Sequence, residues 1–234
     1  MNLIKDDWKK EDGIKFINYI EGLKDIKKID WKRNLLKTKM SVLGIKTSLL
    51  KEIVKEIKKG NYFSFLDLNL DKHYEVLVIN GYLINQITDL EVMKKYLDRY
   101  VIKIDNWSNC DLLSFNIKDK EREFYQIVLE YINSPHPFIR RVGFVILFKF
   151  IEKDEYLNKI FKIMNSFYEE TNYYVNMVNA WLFCECFIKR KEETWKFLKT
   201  HQLNKFTINK GISKCRDSFR VSFKDKEALL KYKC

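Results

Sequence analysis

Near the middle of the chain, Ile104-Asp105-Asn106-Trp107-Ser108-Asn109-Cys110-Asp111 sets an indole and a carboxylate four residues apart, just behind a residue type that starts helices. Residues i and i+4 lie one above the other on a helix face, and asparagine is a favoured N-cap. With Asn106 as the cap, Trp107 and Asp111 project together and offer one ligand a stacking surface and an anion. Taken alone, the same pair reads as a core anchor and a surface charge. The other reactive residue types add little. Five cysteines, Cys110, Cys184, Cys186, Cys215 and Cys234, are an odd set at spacings that match no disulfide scaffold and no zinc pattern, so they read as reduced thiols. Cys184-Glu185-Cys186 lacks the second pair a zinc site needs. His73, His136 and His201 sit in separate segments without metal-ligand companions and read as surface or turn residues. Ser108 has no partner that would make it a nucleophile, and nothing singles out one lysine. Neither a metal nor a cofactor is expected.

The elements that must position these residues read as helices throughout. Lys5 to Leu23 carries Trp8, Phe16, Ile17 and Ile20 at helical spacing, and Asp30 to Met40 reads as a second helix. After the turn at Gly44, Thr47 fits an N-cap before Leu49, Leu50, Ile53, Val54 and Ile57. Asp71 to Ile87 fits a buried strand as well as a buried helix, and its helical neighbours favour helix. Further helices are expected over 89–104, 119–132, 138–151, 155–167, 171–188, 191–199, 205–216 and 224–232, with Pro135 and Pro137 marking a break and a start. Tyr173, Tyr174 and the many phenylalanines are expected to fill the core between helices. Neighbouring pairs occupy about the 40 residues of a HEAT-like unit, which suggests an all-α solenoid. Each interval from Trp107 to Arg141 to Trp181 is close to one such unit.

With 234 residues, two prolines, seven scattered glycines and no linker-like run, a single domain over 1–234 is expected. Lys and Arg number 44 against 32 Asp and Glu, a formal charge of +12. That surplus suggests a polyanionic partner. The charged amino terminus and the lack of a long apolar run argue against a secretory signal and a membrane span. With the thiols, this places the chain in the cytoplasm.

Trp107-x3-Asp111, Phe138-Ile139-Arg140-Arg141 opening an apolar helix, Asn179-Ala180-Trp181-Leu182 and Asn209-Lys210-Gly211-Ile212-Ser213-Lys214-Cys215-Arg216 together resemble the AlkD family of bacterial alkylpurine DNA glycosylases. Leu43-Gly44-Ile45-Lys46-Thr47 resembles that family's segment before its first long helix. The likeness runs from about residue 40 onward, in order. It implies a right-handed HEAT-like α-α superhelix whose concave basic groove holds duplex DNA, nucleoid-associated in a bacterium and without an obligate protein partner. It also implies base excision repair: hydrolysis of the N-glycosidic bond of N3- or N7-alkylated purines without a base-flipping pocket. Carried over by position, Trp107 and Trp181 are the aromatic walls, Asp111 the catalytic carboxylate and Arg141 the cation on the backbone. Arg140, Lys46, Thr47, Lys210, Lys214 and Arg216, with Arg220, are the implied phosphate contacts. The chain departs from the family in having Phe138 where Trp is commoner, and in the doubled arginine.

The residue types suit that chemistry. Alkylation at N3 or N7 makes the purine cationic, so the base leaves without strong acid assistance. The difficult species is the deoxyribose cation, which a preorganised carboxylate stabilises and to which it orients a water. Each indole face adds about 0.5–2 kcal/mol of cation–π attraction, and a guanidinium grips phosphate bidentately. The four residues Trp107, Asp111, Arg141 and Trp181 are then expected on one patch. The alternative is a non-catalytic HEAT-like module that binds DNA or RNA through the same basic face. Asp111 separates the two, because a pure phosphate binder gains nothing from a carboxylate in its groove. A protein-binding solenoid, a third class, predicts an acidic or apolar groove.

Overall fold

The computed structural model describes residues 1–234 and contains fourteen α-helices, two short 3₁₀ turns and no strand. The one β-type contact is an isolated bridge between Ser41 and His73. Two compact units divide the chain, Met1–Asn116 and Ile117–Cys234. No helix is long and apolar enough to cross a membrane.

The first unit contains α1 (Lys10–Gly22), α2 (Ile26–Leu36), α3 (Thr47–Ile57), α4 (Tyr62–Asp67), α5 (Tyr74–Ile84), α6 (Leu90–Val101) and α7 (Trp107–Asp111). It is built around α5, which packs on α3, α4, α6 and α7. Every α5 residue but Tyr82 is buried. A helix enclosed on all sides is apolar all round, which is why Val76 to Ile84 shows no helical period and also fits a strand. Its stability comes from burial, at about 1.5–3 kcal/mol for each large side chain removed from water. The stripes of α3 and α6 lie as expected, with Leu50, Ile53, Val54 and Ile57 of the former and Met93, Tyr96, Leu97, Tyr100 and Val101 of the latter turned inward.

Three local expectations for this unit are corrected. The second helix starts and ends about a turn earlier than Asp30 to Met40, because Lys37 adopts a left-handed φ of 53° that stops it. Lys46, not Thr47, is the N-cap of α3, and Thr47 is its first helical residue. His73 is not a surface residue: it is buried, with Nε2 2.8 Å from Glu21 Oε1.

Glu75 of α5 organises the segment that leads into α3. Its side chain is fully buried. Its carboxylate accepts from the backbone N–H of Leu43 and of Gly44, both at 3.0 Å, and from Lys32 Nζ at 3.2 Å. Lys32 also donates to Ile45 O at 2.8 Å. A buried carboxylate requires this degree of compensation. Gly44 is obligatory here: its φ is +77°, and a Cβ would stand 2.4 Å from Asp25 O.

The second unit contains α8 (Glu121–Ile132), α9 (Pro137–Leu147), α10 (Asp154–Ser166), α11 (Tyr173–Lys189), α12 (Lys191–Leu198), α13 (Lys205–Asp217) and α14 (Phe223–Leu229). Helix α11 is its centre, packing on α9, α12 and α13, while α8 packs on α9. Gly211 lets α13 close on α11, since a Cβ there would lie 2.6 Å from the Phe183 ring. Tyr173 does not fill the core as expected; it stands 54% exposed at the start of α11. Between α13 and α14, Val221 is buried and Phe219 stands 94% exposed, as does Phe223 at the first position of α14, at 78%.

Candidate functional site

Helix α7 is one turn and a half long, too short to hold itself together, so its geometry comes from side chains. Asn106 caps it: Oδ1 accepts from Asn109 N at 3.1 Å, and Nδ2 donates to Asn109 Oδ1 at 2.6 Å and to Asp105 Oδ1 at 3.2 Å. The Tyr100 hydroxyl donates to Asn109 O at 2.9 Å, and burial pushes its pKa well up, so it remains a donor. Tyr74 and Ser108 share a hydrogen bond of 2.8 Å. Beyond the helix, Asn85 donates to Leu112 O at 2.8 Å and accepts from Ser114 N at 2.9 Å. Helix α5 comes close enough that a Cβ at Gly81 would stand 2.4 Å from Leu112.

Upstream, the Asp105 carboxylate accepts from the Thr38 hydroxyl and from Lys39 N, the latter at 2.7 Å. With Asn109 and Cys110 facing inward and fully buried, the partly exposed positions of α7 are Trp107, Ser108 and Asp111. The indole N–H of Trp107 reaches toward Leu35 O at 3.4 Å. An indole and a carboxylate are therefore presented at the two ends of a helix whose inner side is clamped. Lys46 and Thr47, at the start of α3, are both exposed.

In the second unit, Trp181 lies part-way along α11 and is partly exposed, its ring 4.4 Å from that of Phe148 at 49°. The two arginines of α9 differ from a pair of free surface cations. Arg141 is buried, 6% exposed, and donates from Nη1 to Tyr174 O at 2.6 Å. Arg140 donates to Ser134 O and Pro135 O, both at 2.9 Å, and pairs with Glu170 at 2.9 Å. Along α13, Lys210 and Arg216 are exposed and Lys214 is partly exposed. Lys205, Phe206, Asn209, Lys210 and Ser213 line a shallow concavity on this helix. Arg220 is held by Glu185, Nη1 to Oε2 at 3.1 Å, which raises the guanidinium pKa.

Residues 18–215 match the protein family described as DNA alkylation repair enzyme. The chain belongs to that family. No curated protein matches it. As a DNA alkylation repair enzyme it acts in repair of alkylated DNA. The family match takes in α7, both arginines of α9, Trp181, Lys46, Thr47, Lys210 and Lys214, and ends one residue before Arg216. The exposed Phe219 and Phe223 lie outside it.

Several residues that shape this repair enzyme's candidate site escaped the sequence reading. Asp105, Tyr74, Tyr100 and Asn85 all act on α7 or its flanks, and Glu75 sets the approach to Lys46 and Thr47. Their partners lie far along the chain, as Thr38 does from Asp105, so no local spacing reveals them. The one available signal was the density of Asx residues, Asp105, Asn106 and Asn109, around one helix start.

Proposed function

We propose that this family member is a monofunctional DNA glycosylase that hydrolyses the N-glycosidic bond of cationic N3- or N7-alkylated purines in duplex DNA. Helix α7 is the observation that carries the reading: a turn clamped by side-chain hydrogen bonds, with Trp107 and Asp111 partly exposed, in a chain of net charge +12. In this reading the helices form a HEAT-like superhelix with a basic concave face. Lys46, Thr47, Lys210, Lys214 and Arg216 contact phosphates there, giving binding with little sequence preference and strong salt dependence. Arg140 and Arg141, already engaged with Glu170 and Tyr174, act as positioned donors and not as mobile cations.

The proposed reaction needs one anion. As the C1′–N bond stretches, its electron pair neutralises the alkylated base and positive charge grows on the sugar. The carboxylate of Asp111 stabilises that charge and orients the water that adds to C1′. The faces of Trp107 and Trp181 attract the same cation. Because no pocket for an extruded base is invoked, bulky adducts are tolerated as long as they are cationic.

Duplex DNA bearing N7-methylguanine, incubated with the protein, tests this by release of free base and appearance of abasic sites. Asp111→Asn keeps size and removes the charge. Loss of one preorganised electrostatic contact lowers rate by about 10² to 10³, so excision is expected to fall by that factor while DNA affinity holds or rises slightly. Wild-type excision by the Asn variant would replace this reading with a non-catalytic DNA-binding module.

A further inference from the structure

Helices α11 and α13 meet at a series of points that advance together along both. Thr207 donates to Asn176 Oδ1 at 3.0 Å. One turn on, Gly211 closes on Ala180 and Phe183. One turn further on, the thiols of Cys184 and Cys215 lie near enough to interact, with Cys215 fully buried and Cys184 4% exposed. The helices thus run parallel, and the missing side chain at Gly211 draws their backbones together just before the two cysteines. A disulfide needs such a close approach of the two backbones.

The two thiols are chemically unlike. The neighbouring Cys215 thiol, aided by the nearby Arg220 and Lys214, holds the Cys184 pKa below its ordinary value against burial and Glu185. The same interaction, with burial, pushes Cys215 up. Cys186 is two residues beyond Cys184, on another side of α11, and burial raises its pKa. One nucleophilic sulfur beside one resolving sulfur is the arrangement that makes a cysteine pair oxidisable.

We propose that Cys184 and Cys215 are a hydroperoxide-sensitive dithiol that closes to a disulfide across the seam between α11 and α13. The Cys184 thiolate attacks one oxygen of the hydroperoxide; the O–O bond breaks, and the departing oxygen leaves as hydroxide or alkoxide and takes a proton from solvent. Cys184 becomes a sulfenic acid. The Cys215 sulfur then attacks the Cys184 sulfur, the S–S bond forms, the S–O bond breaks, and the hydroxide leaves as water with the Cys215 proton. Two thiols are oxidised and one hydroperoxide is reduced; a small-molecule thiol reverses the change by exchange. The disulfide ties α11, which carries Trp181, to the helix that carries Lys210 and Lys214. Its bearing on DNA rests on the function proposed above; the covalent step does not.

The test uses the full chain with Cys234→Ser, which removes the exposed thiol. The reduced, folded protein is treated with hydrogen peroxide, remaining thiols are alkylated, and intact mass and peptide maps are taken without reductant. The expected result is loss of two hydrogens and a crosslinked pair of peptides containing Cys184 and Cys215. Adding Cys215→Ser should arrest the reaction at a Cys184 sulfenic acid, captured by dimedone, and adding Cys184→Ser should abolish both products. Because the first arm leaves both cysteines in place, a folding defect in a serine variant does not obscure it. If both thiols of the native protein survive peroxide, or Cys110 and Cys186 oxidise as readily, the proposal is wrong. No DNA enters the measurement, so its outcome is separate from that of the glycosylase reading.

Discussion

Replacing Glu75 by glutamine isolates one buried charge without changing the shape of the core. The glutamate carboxylate serves three donors, the N–H groups of Leu43 and Gly44 and the ammonium of Lys32, and its side chain has no exposure to water. Glutamine keeps one acceptor oxygen and turns two hydrogens toward groups that are themselves donors. One backbone N–H is then stranded, at about 1–3 kcal/mol. Lys32 loses its counter-charge but keeps Ile45 O and its 13% exposure, so its share is smaller. The total is about 3 kcal/mol, at the lower edge of the 3–5 kcal/mol typical of breaking a buried pair from one side. For a chain of this length each kcal/mol moves the melting temperature by about 2–4 °C, so Glu75→Gln is expected to melt about 6–12 °C below wild type. Circular dichroism at 222 nm reads this directly. Pairing Lys32→Met with Glu75→Leu should recover none of the loss, because both backbone donors are then unpaired. A Glu75→Gln protein melting within about 2 °C of wild type would refute the reasoning, since it would mean that water or a rearranged loop replaces the carboxylate at little cost.

Asn106→Ala removes the cap of α7 and two side-chain hydrogen bonds, and is expected to cost about 1–2 kcal/mol in urea denaturation. If α7 carries the chemistry proposed, excision of N7-methylguanine should fall by more than duplex affinity does; equal losses in both would tie the cap to binding alone. Acid should loosen the fold through surface carboxylates. Lys72 and His73 hold Glu21 below the ordinary carboxylate value, Lys153 does so for Glu121, and Arg190 for Glu193. A depressed folded-state pKa gives stability that is present above the ordinary value and is lost as pH falls through it toward the folded value. Melting temperature should therefore be flat across neutral pH and decline below about pH 4.5; high salt should flatten that decline.

Helices with one buried stripe, such as α3 and α6, were legible because solvent on the other face imposes the period. Helix α5 was ambiguous for the opposite reason, having no solvent face. Helix α2 was misplaced because Ile26, Trp31 and Leu35 are apolar yet exposed, so its pattern points at no core. The six-residue α4 went unread, too short for periodicity and started by an Asn61 cap. At the candidate site, the cap at Asn106 could be read locally. The burial of Arg141 and the pairing of Arg140 with Glu170 could not, because both depend on α11 and the turn before it. The expected meeting of Trp107, Asp111, Arg141 and Trp181 belongs to the proposal and is tested by the excision assay.

Helix α2 buries only Leu36 of its eleven residues, so by burial alone it should fray like a chain end and exchange its amide hydrogens quickly. Yet Lys32, in its middle, neutralises the most deeply buried carboxylate of the first unit, and Leu35 O stands before the indole N–H of Trp107. Opening α2 would strand Glu75 without its cation and leave Trp107 without that acceptor. Local unfolding of the helix is thus coupled to a penalty paid elsewhere in the core, and α2 cannot open as an independent unit. Its slowest amides should exchange together with those of the 41–46 segment, in one cooperative event. An element that adds almost nothing to the hydrophobic core is kept closed by the charge on Lys32 and the carbonyl of Leu35.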